Sequence, residues 1–222
     1  ASRGLGDVYK RQPLVSILGF TKLLRKNILT DEEREEYLGI IEEEMKRLYT
    51  MANGILNLTK VENQSILTNV TEYNLSEQIR LTVLLLESKW TARNINMNID
   101  FGEYTINANE EMMKQVWINL LDNAIKFSPE GEEISIRISN KNEHIYVSIS
   151  GKGPHIEDEE INKIFRKFYQ SDSSHSTEGT GIGLALVSRI IELHKGRIEV
   201  NSDKNINTFT VISVSYTHLR AH

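Results

Sequence analysis

Apolar residues recur every three to four positions through the first quarter of the chain. From Pro13 they fall on one helical face, and Pro13 itself suits a first helical turn. Thr30 followed by Glu33 forms the capping-box pattern that opens a second helix. In that helix the apolar positions keep a near-heptad spacing, at Tyr37, Ile41, Leu48, Met51, Ile55 and Leu58. The pattern therefore predicts a helical hairpin over residues 13–66.

Two amphipathic helices cannot bury both apolar stripes by themselves. Pairing two copies of the hairpin into a four-helix bundle would bury them, and this arrangement predicts a homodimer. The alternative is a single hairpin that packs against a second domain of its own chain.

From residue 71 the pattern becomes mixed. Helices are predicted over 76–90, 110–127, 161–168 and 182–194, with Asn109 capping the second and Lys195-Gly196 ending the last. Strands are predicted over 95–101, near Ile106, and at ISIRIS, HIYVSIS, RIEV and TFTVISV. Helices and antiparallel strands are segregated along the chain, which predicts an α+β fold, a two-layer α/β sandwich over residues 71–214.

The two ends break these patterns. Residues 1–12 and 215–222 show no sustained apolar period, and we interpret both as foreign or disordered tails outside the fold. Disordered native termini are the alternative.

Composition excludes several classes of function. A net charge of -5 without a basic face argues against a nucleic-acid partner. The absence of cysteine excludes disulfides and thiolate metal sites and fits a reducing, cytoplasmic location. The longest apolar run, around residues 83–86, is far shorter than the ~20 residues of a membrane span, so any membrane anchor would lie in upstream segments of a longer parent.

Three stretches contain candidate chemistry. Gly179, Gly181 and Gly183 precede a helix, where backbone N–H groups could approach an anion, although a flexible hinge would use the same residues. Asn119, Asn123 and Lys126 are spaced i, i+4 and i+7, so they share a helix face that suits a Mg–phosphate ligand; a solvated face is the alternative. The aromatic residues of IFRKFYQ, 164–170, are more typical of a core.

A fourth stretch, ISGKGPHI, follows a predicted strand. Its glycines, Gly151 and Gly153, serve either a ligand or an ordinary chain reversal, and the turn alone leaves both possibilities open.

In their order and spacing these stretches resemble the cytoplasmic core of sensor histidine kinases. The family strings NLLxNAIK, DxGxGI, IFxxFYQ and GGTGLGLAI, followed by a helix ending in HGG, correspond here to NLLDNAIK, GKGPHI, IFRKFYQ and EGTGIGLAL with ELHKG. PLVSILGFTKLLRKN resembles the segment after the family's phosphoacceptor histidine, so the resemblance covers roughly 13–214. It implies a dimerisation and histidine-phosphotransfer hairpin joined to a Bergerat-type ATPase domain, which uses ATP and Mg²⁺ and serves a response-regulator receiver domain.

By position, the resemblance also implies roles for individual residues. Asn123 would coordinate Mg²⁺ with support from Asn119, Lys126 would meet phosphate oxygens, and Phe127 would lie near adenine. A lid over roughly 169–180 would fold over the phosphates, anchored by Phe168. The nucleotide-binding positions at the end of the lid and directly after it would be Gly179, Thr180, Gly181 and Gly183.

The chain departs from the family at the opening turn. Gly151 stands where the family has the aspartate that accepts a hydrogen bond from the adenine amino group, and loss of such a bond would weaken ATP binding ~10–200-fold. His155 replaces the family's second glycine, which predicts strain if φ is positive there. His175 stands near a frequent arginine of the lid.

A second departure concerns the phosphoacceptor. Its histidine should lie five residues before Pro13, where this chain has Val8, and Tyr9 stands in place of the adjacent carboxylate. Because autophosphorylation needs an imidazole nucleophile, this chain is predicted not to complete it. The alternatives are a nucleotide-blind pseudokinase or dimeric signalling scaffold, which Gly151 favours, and another Bergerat-fold ATPase such as an anti-sigma kinase, which the hairpin argues against.

Overall fold

The computed structural model describes residues 3–25, 29–142, 144–170 and 179–213. The chain divides into two compact units, Ala1–Asn57 and Leu58–His222. The predicted lid largely falls on 171–178, and both His175 and the C-terminal tail lie outside the described residues. In the part of the chain that is described, no helix has both the length and the apolar character of a membrane span.

The first unit contains α1 (Arg3–Leu24) and most of α2 (Asp31–Glu62). The helix start predicted at Pro13 is wrong, because α1 already begins at Arg3 and Pro13 lies inside it. An internal proline lacks the N–H donor and its ring crowds the preceding turn, which is why the sequence pattern favours a helix start at this position. Whether residues 1–12 are foreign sequence stays a prediction.

The predicted start of α2 is confirmed by its hydrogen bonds. The backbone N–H of Thr30 donates to the Glu33 carboxylate at 2.9 Å, and the Glu33 N–H donates to the Thr30 hydroxyl at 3.2 Å. This reciprocal pair is a capping box. The rings of Phe20 and Tyr37 lie 5.1 Å apart and bring α1 against α2.

The second unit begins with the end of α2 and continues as an α+β fold, as predicted. Its helices are α3 (Leu75–Leu85), α4 (Glu87–Ala92), α5 (Glu110–Phe127), α6 (Asp158–Ile161) and α7 (Gly183–Leu193). Its strands are β1 (Thr71–Asn74), β2 (Asn96–Asp100), β3 (Thr105–Ala108), β4 (Glu133–Lys141), β5 (His144–Lys152), β6 (Arg197–Asp203) and β7 (Ile206–Ser213).

The five-stranded sheet has the order β2-β4-β5-β7-β6, and β1 pairs separately with β3. All pairs are antiparallel except β2 with β4, which run parallel. The sequence pattern predicts antiparallel strands, so this one parallel pair differs from the prediction. Alternate residues of β4 and β5 are buried against the helical layer, and the core is completed by Trp117 and Leu121 of α5. The opposite face carries hydroxyl pairs such as Ser148 with Thr210, at 3.0 Å.

Two predicted helices are shorter than expected. The helix over 76–90 is divided into α3 and α4 at Leu86, whose φ of -98° and ψ of 11° leave the helical region, and the Trp90 indole N–H folds back to the Val83 carbonyl at 3.0 Å. The helix over 161–168 is wrong: α6 ends at Ile161, and Phe168 has a φ of 62°, which no α-helix accommodates.

Candidate active site

Helix α5 positions the polar residues predicted to bind Mg²⁺ and phosphate. Asn109 caps its start, since its side-chain oxygen accepts from the Met112 N–H at 2.9 Å as predicted. Buried Leu120 and Leu121 fix the opposite face of the helix in the core. The Asn119 amide nitrogen donates to the Gln115 carbonyl at 2.7 Å. This bond orients the amide so that its oxygen lies beside Gly183.

Two glycines make room for two of these side chains. A Cβ at Gly183 would lie 2.6 Å from the Asn119 side-chain oxygen, and a Cβ at Gly179 would lie 2.6 Å from Lys126 Nζ. Real Cβ atoms do not approach other atoms so closely, so a larger residue at Gly183 would displace the Asn119 amide, and one at Gly179 would move the flexible end of Lys126. The structure thus brings the predicted Asn119 and Lys126 together with the glycine-rich stretch.

The middle glycine meets the backbone of the IFRKFYQ segment. Gly181 has a φ of 65°, and its carbonyl accepts from the Phe168 N–H at 2.8 Å. A Cβ at Gly181 would lie 2.8 Å from the Phe168 backbone and from the Tyr169 carbonyl oxygen. Both the conformation and the space therefore require glycine at this position.

Gln170 joins the same cluster. Its amide nitrogen donates to the Gly179 carbonyl at 2.5 Å, so it ties the end of the IFRKFYQ segment to the first glycine. Sequence reasoning quoted Gln170 within its motif but assigned it no role.

Helix α7 starts at the third glycine, Gly183. Its N-cap is Ile182, which offers no side-chain acceptor to the first N–H groups. A helix N-terminus without a side-chain cap presents N–H donors and a partial positive charge to an anion. Together with Lys126, this end of the site is suited to a polyphosphate; we call it the phosphate end, comprising Asn119, Lys126, Gly179, Gly181 and Gly183.

The phosphate end also fits a hard cation. Asn119 presents an amide oxygen, and Asn123 is half-buried one turn further along α5. Within the described ranges no group of three or more histidine, aspartate or glutamate side chains could hold a metal. Mg²⁺ commonly keeps several waters and binds substrate phosphates, so it needs few ligands from the protein.

The other end of the site departs from the predicted turn. Gly151 lies inside β5, paired with Ile134 and Asn207, rather than in a turn after it. Gly153 follows the strand, and a Cβ there would lie 3.0 Å from the Asn207 side-chain nitrogen and 3.5 Å from the Phe127 carbonyl oxygen. We call this region the base end, comprising Phe127, Ser128, Gly151, Gly153 and Asn207.

The loop after Gly153 is bound to the β6–β7 hairpin. The Gly153 N–H donates to the Asn205 carbonyl at 2.8 Å, and the Ile156 N–H donates to the Ser202 hydroxyl at 3.0 Å. That hydroxyl also lies 2.9 Å from Nδ1 of His155. The strain predicted at His155 is absent, because its φ is not positive.

Two residues of the base end were missed by sequence reasoning. Ser128 is 1% exposed, and its hydroxyl has no hydrogen-bond partner among the described residues; the side-chain oxygen of Asn207 is buried and unpartnered in the same way. A Cβ at Gly151 would lie 2.9 Å from the Ser128 hydroxyl oxygen. The only sequence signal was the position of Ser128 directly after Phe127.

His194, at the far end of α7, connects that helix to α5. Its Nε2 accepts from the Asn109 N–H at 3.1 Å, so Nδ1 carries the proton that is donated to the Ile190 carbonyl at 2.7 Å. Burial lowers the pKa of His194, and the bond to Ile190 opposes this shift. The two helices of the phosphate end are thus joined by a neutral imidazole.

The comparisons with known proteins agree with this geometry. Residues 108–218 match the family described as histidine kinase-, DNA gyrase B-, and HSP90-like ATPase, and residues 11–64 match the His Kinase A (phospho-acceptor) domain. The probable sensor kinase SilS of Salmonella typhimurium is 28% identical over 210 residues, covering 92% of this chain and 42% of SilS. The chain thus spans less than half the length of that relative.

Solved structures show the same arrangement of elements. Histidine kinase ThkA, in complex with response regulator protein TrrA, has a TM-score of 0.79 at 29% identity, covering 95% of this chain and 60% of that one. Full-length ShkA in complex with AMPPNP has a TM-score of 0.72 at 24% identity, covering 96% and 45%. By its two matched domains and these relatives, the chain belongs to the two-component sensor histidine kinases.

Proposed function

We propose that this chain is the ATP-binding catalytic core of a sensor histidine kinase, whose parent transfers the γ-phosphoryl group of ATP to a histidine and then to a response-regulator aspartate. The observation that supports this most strongly is the fit of Asn119 and Lys126 into the spaces at Gly183 and Gly179. The amide, the ammonium and the start of α7 converge where a polyphosphate would bind.

Each group at the phosphate end has a separate task in this proposal. Lys126 pairs with phosphate oxygens, and the first N–H groups of α7 receive the same anion. Asn119 and Asn123 would hold Mg²⁺ through their amide oxygens, and the ion would supply charge neutralisation at the phosphates. Phe168 holds Gly181 through its backbone bond, and Thr180 lies between the first two glycines.

A titration tests the proposed nucleotide site. With Mg²⁺ present, Lys126→Ala should weaken ATP binding about 10–200-fold, the range for a charged hydrogen bond. Lys114→Ala is the matched control, since Lys114 is an exposed lysine on the same helix and should leave the affinity unchanged. Equal affinity in both variants, measured by calorimetry, would contradict the proposal.

In this proposal the chain would bind nucleotide but would not phosphorylate itself, because Val8 stands where the family's phosphoacceptor histidine belongs. Incubation with radiolabelled ATP should leave no acid-labile label on the protein. Label that maps to His144, His155, His175 or His194 would overturn the assignment of position 8.

The hairpin supports a homodimer as the working form. Apolar side chains on both of its helices are exposed in the single chain, including Leu18 (60%), Met45 (54%) and Tyr49 (73%). A second copy would bury them in a four-helix bundle. Light scattering should give twice the 25.5 kDa chain mass, and a persistent monomer would contradict the bundle.

The remaining partners are proposed from the family. A response-regulator receiver domain would accept the phosphoryl group. The chain would lie in the cytoplasm, and any membrane attachment would come from upstream segments of a longer parent protein. A nucleotide-blind dimeric scaffold is the second candidate function, and the observation that favours it is Gly151, which places no carboxylate at the base end.

A further inference from the structure

The base end contains a buried hydroxyl that the fold does not use. Ser128 ends α5, and its backbone is fully engaged: its N–H donates to the Ala124 carbonyl at 3.0 Å, and its carbonyl accepts from the Arg93 guanidinium at 2.7 Å. Its hydroxyl oxygen has no partner among the described residues. Burying a hydroxyl without a hydrogen bond destabilises a fold, so such a group requires an explanation.

The position of this hydroxyl relates it to Gly151. A side chain at 151 would begin 2.9 Å from the Ser128 oxygen and 3.3 Å from Ile134. The hydroxyl therefore stands beside the path along which an aspartate at 151 would reach a base. With glycine at 151, that path holds no carboxylate, and Ser128 is the nearest polar side chain to it.

We propose that Ser128 is the specificity-determining residue of the base end, and that its hydroxyl takes the place of the missing carboxylate in binding the edge of a purine. This inference rests on the proposed nucleotide site. The hydroxyl is buried in the structure, so this role requires it to leave its present rotamer for another of the three staggered ones when a nucleotide binds.

The chemistry of a hydroxyl defines the ligand class. A carboxylate only accepts, so it selects the exocyclic amine of adenine. A hydroxyl both donates and accepts, so it serves the amine of adenine or the carbonyl of guanine equally well. The site therefore takes purine nucleoside triphosphates of either kind.

A calorimetric test with Mg²⁺ distinguishes binding at the base end from binding at the phosphate end. It uses three ligands: ATP, GTP and inorganic tripolyphosphate, which has no base. Ser128→Ala should weaken ATP and GTP about three- to tenfold, the range for a neutral hydrogen bond, and leave tripolyphosphate unchanged. The matched control is Ser135→Ala, which removes another buried, unpartnered hydroxyl, on the opposite face of the sheet from Ile134 and Ile136.

A stability measurement distinguishes binding from structure. Because Ser128→Ala removes an unsatisfied hydroxyl and keeps both backbone bonds, the free energy of unfolding should stay equal or rise while nucleotide affinity falls. A structural role for the hydroxyl would instead lower both.

Several outcomes would overturn the proposal. Unchanged nucleotide affinity in Ser128→Ala does so, as does an equal loss for tripolyphosphate. A base-dependent loss in Asn207→Ser alone would assign the task to the Asn207 oxygen instead. If the unchanged chain binds tripolyphosphate but no nucleotide, this inference is wrong while the phosphate end stands; if it binds none of the three, the proposed function itself fails.

Discussion

The phosphate end and the base end of the site use glycine for opposite purposes. At the phosphate end, Lys126 Nζ and the Asn119 oxygen lie where a Cβ at Gly179 and at Gly183 would be. At the base end, Gly151 leaves the Ser128 hydroxyl without a partner. In the proposed site, the first arrangement would serve as a preorganised anion site, and recognition at the second would depend on one small side chain.

The largest expected effect comes from filling a space at the phosphate end. In Gly183→Val the new side chain takes the position of the Asn119 oxygen, so ATP and tripolyphosphate should both bind about 10–200-fold more weakly in calorimetry. Gly102→Val is the control, because a Cβ at Gly102 meets nothing within 4 Å. A loss confined to ATP would break the division of the site into two ends.

An intermediate effect is expected from restoring an acceptor at the base end. Gly151→Asp should tighten ATP binding about tenfold, because the new carboxylate would accept a hydrogen bond from the adenine amine. We expect the low end of the range for a charged hydrogen bond, since the new Cβ would first have to displace the Ser128 hydroxyl. GTP presents a carbonyl to the new carboxylate and gains nothing, and tripolyphosphate is unaffected. Equal tightening of ATP and GTP would show that position 151 does not face the base.

The smallest effect concerns the connection between α5 and α7, on which the phosphate end depends. Because the pKa of His194 lies below its ordinary value of 6.5, the unfolded chain takes up the proton first as the pH falls. The stability that neutral His194 contributes is therefore complete above pH 6.5 and is lost as the pH falls through the lowered pKa. Urea unfolding at pH 7.5 and 5.5 measures this loss.

Two variants isolate this contribution. His194→Gln should reduce the dependence of unfolding on pH between these two values. His144→Gln, at the start of β5, should leave that dependence in place. An identical pH dependence in the His194 variant and the unchanged chain would contradict this contribution of neutral His194.

Local signals in the sequence predicted local structure well. The capping pairs at Thr30 and Asn109 depend on residues three apart, and both form as expected. The positions of Gly151 and of the end of α6 were predicted wrongly, because pairing with Asn207 extends β5 and the bond to Gly181 holds Phe168 at positive φ. In both cases the residue responsible lies more than ten positions away along the chain. A local hydrophobic pattern contains no information about such distant contacts.

The candidate site divides in the same manner. The motif spacings were sufficient to select the residues of the phosphate end, and the structure adds the close approaches at Gly179 and Gly183. No sequence pattern indicated that Ser128 would be buried without a partner. That property arises only when β5 packs beside the end of α5.

The bond between the Gly153 N–H and the Asn205 carbonyl gives the base end a backbone amide whose exchange with solvent can be measured. Asn205 and its neighbour Lys204 both have positive φ and form the tip of the β6–β7 hairpin, so this bond joins the loop after β5 to the tip of that hairpin. A hydrogen-bonded amide proton is protected from exchange while its bond is formed. Hydrogen exchange at residue 153 therefore measures how often the bond between these two loops breaks in the unmodified protein.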